Sequence, residues 1–140
     1  MKTVGQMLKN IRSLNVDVEA KIATAKHGKD YVSLNVDQLA AGRTSEGDKI
    51  GRYRSRDYAR MKNSMNPTPG LGFVDLILTG KFVSSLQFDL NADTISIEAD
   101  DPNDLLGRYG TEVLGLDKEN KQTFAEQVGQ TMIDQIAVKL

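Results

Sequence analysis

The chain holds one histidine, His27, and no cysteine. A catalytic triad, a His-pair metal site or an imidazole general base would each have to rest on His27. No G-x-S-x-G nucleophile motif accompanies it, and Gly28 and Lys29 follow it directly. The expected role is a solvated side chain at a helix end. Without cysteine there are no disulfides, thiolate metal sites or thiol nucleophiles.

The acidic residues offer two metal-like arrangements. In "DLNADTISIEAD", Asp89, Asn91 and Asp93 have the first three spacings of a calcium loop. Thr94 then stands where that loop needs Gly for its sharp turn, and Asp100 where it needs the longer reach of Glu. A hairpin turn flanked by polar residues accounts for the stretch better. Asp100, Asp101 and Asp104 gather around Pro102, the pattern of a solvated turn that caps the next helix. "PGLGF" lacks the strand, helix and Lys of a phosphate loop. Neither a catalytic residue, a bound cofactor nor a metal is expected.

One stretch keeps a binding chemistry. In "GRYRSRDYAR", Arg52, Arg54, Arg56 and Arg60 are interleaved with Tyr53 and Tyr58. Arginine meets phosphate and tyrosine offers a stacking face, so segment 52–60 is a candidate nucleic-acid module. The same residue types dominate protein interface hot spots, and the interface reading is preferred.

The elements that must position these residues follow from periodicity. Val4, Met7, Leu8, Ile11 and Leu14 recur at helical spacing between Lys and Arg, predicting a short amphipathic helix. A second helix is expected from about Asp17 through Ala25, ended or kinked at Gly28. A third carries Tyr31, Leu34, Leu39 and Ala40 and stops at Gly42. Segment 43–57 has two Gly, many charges and no apolar period, and reads as a long basic loop or arm reaching across a surface. Ser55 caps a short helix with Tyr58, Ala59, Met61 and Lys62, and "NPTPGLG" is a turn. Phe82 to Phe88 and Thr94 to Glu98 read as a hairpin, about 82–98, around "NAD". Asp117 caps a C-terminal amphipathic helix, about 118–139, with Phe124, Val128, Met132, Ile136 and Leu140 every four residues. The plan is α+β: a small antiparallel sheet covered by helices, in one domain of 140 residues. The N-terminal helices, 1–42, and the arm, 43–57, are expected to extend from its core.

Charge is divided along the chain. Residues 1–64 hold 13 Lys and Arg against 7 Asp and Glu; residues 65–140 hold 5 against 12. A basic half suits nucleic acid, or the acidic half of the next copy. No apolar run approaches the roughly 20 residues that span a bilayer, and the start lacks a signal peptide's pattern, so a soluble, unexported chain with no membrane partner is expected.

Three segments, "LNVDQLAAGRTSEGDKIGRYRSRDYARMKN", "DLILTGKFVSSLQF" and "ISIEADDPNDLLGRYGTEVLGL", together resemble a family of small virion proteins of tailed bacteriophages. These are the head-tail joining or tail-completion proteins of the neck, as in phages and prophages of Bacteroidetes. The resemblance covers about residues 34–116. It runs through Gln38, Leu39, Gly42, Gly47, Ile50 and Tyr53, then Tyr58, Ala59 and Lys62. It continues through Asp75, Leu76, Thr79, Gly80 and Phe82, and closes on Tyr109, Gly110, Val113, Gly115 and Leu116. Val113 replaces the family's usual Ile, and the leading helices lie outside the match.

That resemblance implies a structural protein without catalysis, made in the host bacterial cytoplasm and located in the virion. It implies a homo-oligomeric ring, six- or twelve-fold, between portal, connector and tail proteins around packaged DNA. A ring needs a heterologous interface. Asp75, Thr79, Gly80, Phe82, Tyr109 and Gly110 are then expected to form a structural hinge between core and arm.

Overall fold

A computed structural model describes residues 1–77 and 80–140. Its element order is α1 (Val4–Ser13), α2 (Val16–Lys26), α3 (Gly28–Ala40), α4 (Arg56–Met65), α5 (Lys81–Ser84), β1 (Gln87–Asn91), β2 (Thr94–Glu98), α6 (Leu105–Tyr109), a 3-10 turn (Thr111–Val113) and α7 (Lys118–Lys139). The α+β plan with a small hairpin and a long C-terminal helix holds.

The helix ends follow local chemistry. Thr3 and Gln6 form a reciprocal capping box on α1, and Asn15, Ser55 and Asp117 each accept an amide N–H in the first turn of α2, α4 and α7. Helix α3 stops at Gly42 as expected. The Gly42 amide donates to the Leu39 carbonyl and the Arg43 amide to the Gln38 carbonyl, the paired bonds of a Schellman motif.

The core gathers Leu39, Ile50, Val74, Leu76, Phe82, Val83, Leu86 and Val113 from five separate stretches of chain. Two buried amides of α3 fasten the segment after the 3-10 turn to it. Asn35 donates to the Val113 carbonyl at 3.0 Å and accepts the Gly115 amide at 2.8 Å. Gln38 donates to the Gly115 carbonyl and accepts the Asp117 amide, so α3 sets where α7 begins.

Three expectations are corrected. Phe82 to Ser84 is not strand. Phe82, Val83 and Leu86 share the buried side of the turn α5, and the Ser84 and Ser85 hydroxyls donate back to the Lys81 and Phe82 carbonyls. Burial decides against the β-propensity of Phe-Val. The hairpin is shorter, pairing Gln87 with Glu98 through Asn91 with Thr94.

Segment 43–57 is not an arm that leaves the core. Its Ile50 is buried in it, Arg43 pairs with Lys49, Arg52 with Phe73, and the Ser45 amide donates to Glu112 at 2.7 Å. The pairing comes as isolated bridges, which leave no alternation to read.

Helix α7 lies where expected, yet only Phe124 is buried. Val128, Met132 and Ile136 are half-buried among Gln127, Thr131 and Gln135, while Ala125, Ile133 and Ala137 face solvent. Its contact with α2 is partly polar. Gln135 donates to the Glu19 carboxylate at 2.9 Å, and Lys139 pairs with the same group.

Candidate functional site

His27 does sit between two helices, α2 and α3, but it is not solvated. Its side chain is 20% exposed. Nδ1 donates to the Asp30 carboxylate at 2.7 Å, and Nε2 is hydrogen-bonded with the Thr131 hydroxyl at 2.6 Å. The order hydroxyl, imidazole, carboxylate is that of a triad. Thr131 lies inside α7, however, where the surrounding amides are held in the helix ladder and none is free to stabilise an oxyanion. The group latches α7 to the junction of α2 and α3.

The acidic turn is likewise spent on structure. Both Asp101 carboxylate oxygens accept amides of α6, from Leu105 at 2.7 Å and Leu106 at 2.8 Å. Among the described residues no group of three His, Cys, Asp or Glu is arranged to hold a metal ion, and no helix is long and apolar enough to cross a membrane.

Three of the six expected hinge residues and both tyrosines meet around one cleft of about 710 Å³. Tyr53, Tyr58, Asp75, Phe82 and Tyr109 line it. Tyr53 and Tyr58 pack edge to face, ring centres 4.9 Å apart. The Tyr53 hydroxyl donates to the Asp75 carbonyl and accepts the Asp75 amide, both at 3.3 Å. Burial pushes the Tyr53 phenol up to about 12.

Behind the cleft lies a charge pair that sequence reasoning missed. Lys62 Nζ stands 2.6 Å from Asp75 Oδ1, with the side chains 5% and 2% exposed. Asn66 donates to Asp75 Oδ2 and to the Ala40 carbonyl, and Asp75 Oδ1 accepts the Ile77 amide. Asp75 is therefore a fixed polar node joining α4, the end of α3 and the chain before α5. The legible signal was Lys62 itself, one turn beyond Tyr58 and three residues beyond Ala59, on the face that α4 buries.

Gly80 opens α5 at φ +73°, and Gly110 closes α6 at φ +91°, ψ 158°, a region essentially reserved for Gly. Thr79 lies outside the described residues. Of the arginines, Arg52 stacks 4.3 Å over Phe73, away from the cleft lining, and Arg54, Arg56 and Arg60 are exposed. The structure thus separates the tyrosines from the arginines they alternate with. Partly buried and packed on each other, Tyr53 and Tyr58 make a poor platform for successive bases.

The cleft's outer lining was not foreseen. It includes Asp100, Pro102 and Asn103, all exposed, with Lys81 and Arg108. Also unforeseen is the state of α1, which buries none of its residues: Val4 is 73% exposed, Leu8 49% and Ile11 48%.

The positions that carry the phage-neck resemblance are largely those that build the fold. Leu39, Val113 and Leu116 are at most 1% exposed, and Gln38, Lys62 and Asp75 are the buried polar ties. Compared with protein-family models, curated proteins and solved structures, the chain matches none.

Proposed function

We propose that the chain is a structural assembly subunit that forms a homo-oligomeric ring in the neck of a tailed phage. The observation that carries the assembly reading is α1. It is the clearest amphipathic helix of the sequence, and its apolar side faces solvent. Burying a Val, Leu, Ile or Met side chain contributes about 1.5–3 kcal/mol, so four left exposed favour contact with another chain. Among the described residues, Thr131, Asp30, Asp101 and Asp75 are tied into latches, a cap and the Lys62–Asp75 pair. The location, between portal and tail in the virion, rests on the resemblance.

Class averages of the purified protein in electron micrographs test this reading. Closed rings of one symmetry are expected, six- or twelve-fold as the resemblance implies, and phage lacking the gene should accumulate full heads without tails. Isolated single subunits, with tailed particles formed normally, would overturn it.

One observation favours a second reading. Arg54, Arg56 and Arg60 are exposed together at the start of α4 and suit phosphate contacts. On that reading DNA binding falls steeply with salt and is lost in Arg54→Ala, Arg56→Ala, Arg60→Ala; absence of any shift at low salt removes it.

A further inference from the structure

Within the subunit the end of α1 lies beside α2 and the C-terminal end of α7, where Asn10 donates to the Leu140 carbonyl at 3.5 Å. The cleft lies toward the other end of that helix. Gln38 ties Asp117, the cap of α7, and its neighbour Leu39 packs in the core with Leu76 and Phe82, the buried lining residues of the cleft. A helix of 22 residues is about 33 Å long. No residue of α1 lines the cleft of its own chain.

Their chemistry matches in trans. Residues 1–14 carry Lys2, Lys9 and Arg12 and no acidic residue. Residues 81–108 carry Asp89, Asp93, Glu98, Asp100, Asp101 and Asp104 against Lys81 and Arg108. The cleft joins buried apolar lining, Leu76 and Phe82, to this acidic run at Asp100 and Asp101. An amphipathic helix with an apolar stripe and an all-basic polar side fits such a groove. Lys81 and Arg108 line the cleft beside Asp100 and Asp101, and this mixed charge restricts which way round the helix can lie.

We propose that α1 of one copy seats its Val4, Met7, Leu8 and Ile11 side in the cleft of the next copy. Two different patches meet, so the contact is head-to-tail and propagates until it closes. The proposal rests on the assembly reading and adds the two faces that make the contact.

Complementation between full-length variants tests it. Leu8→Asp with Ile11→Asp spoils the helix and leaves the cleft. Asp100→Arg with Asn103→Arg spoils the cleft and leaves the helix. All four positions are exposed, and circular dichroism checks that both variants fold. Each alone should sediment as one chain, with association weakened at least about tenfold. Mixed one to one, they should form a two-chain species and nothing larger, because one good helix meets one good cleft.

If the cleft variant assembles like the wild type while the helix variant does not, α1 pairs with another surface and the proposal fails. Flotation of the wild type with phosphatidylglycerol vesicles, lost in the helix variant alone, would likewise overturn it in favour of a membrane surface. Wild type that is itself a single chain defeats the assembly reading. Wild type and both variants assembling alike defeats only the proposed faces.

Discussion

Lys62 and Asp75 show how a charged residue can serve the fold. Removing one partner of a buried pair leaves an uncompensated charge and costs about 3–5 kcal/mol, whereas replacing both removes the penalty with the gain. Lys62→Met should therefore lower the unfolding free energy measured by urea titration by that amount, and adding Asp75→Asn should recover part of it. A loss below about 1 kcal/mol for Lys62→Met would mean that the pair is not holding α4 in place. Tyr53 makes a second test. Its phenol is raised to about 12, first by burial, so between its ordinary value of 10.0 and about 12 the unfolded chain ionises while the folded chain does not. Its contribution to stability is complete below pH 10 and lost as pH rises through that window. In the folded protein Tyr53→Phe should remove the phenolate absorbance that appears last, and loss of an early one instead would contradict the burial.

Among the elements, the sequence was legible where a side chain acts on its own neighbourhood. Ser55 and Asp117 cap the helices they were expected to cap, and Gly42 ends α3. Legibility failed where distant chain decides. Phe82-Val83 has strand composition but turns helically over the core, and Ile50 lies in a segment whose pairing through isolated bridges leaves no period. The tyrosines of "GRYRSRDYAR" could be chosen from sequence, but not their separation from the arginines, which follows from the edge-to-face contact and the Asp75 backbone. Helices α2 and α7 supply the element-scale test. Glu19 is held below its ordinary value of 4.5, chiefly by its bond with Lys139 and then by Gln135 against the opposing effect of burial. A lowered carboxylate stabilises at neutral pH and loses its contribution as pH falls through the lowered value. Melting temperature followed from pH 7 into that acid range should fall less steeply in Glu19→Gln than in wild type. Equal slopes would show that the bond to Lys139 does not join the two helices.

For the whole molecule the fold shows what several of its polar clusters do structurally. Glu19, His27, Lys62 and Asp75 hold elements together, while α1 exposes Val4, Met7, Leu8 and Ile11 and a run of acidic residues follows the hairpin to the cleft. In the proposed head-to-tail assembly, the basic first half of one copy would meet the acidic second half of the next. The fold class and most element positions could be read from the chain, but the cleft could not, since Tyr53, Asp75, Phe82 and Tyr109 meet only through tertiary packing. The most direct measurement is the mass of the full-length wild-type protein by sedimentation equilibrium across a concentration series at low and high salt. Assembly predicts a defined multiple of 15.4 kDa that persists on dilution until the contact dissociates. A mass of 15.4 kDa at every concentration and salt would contradict it.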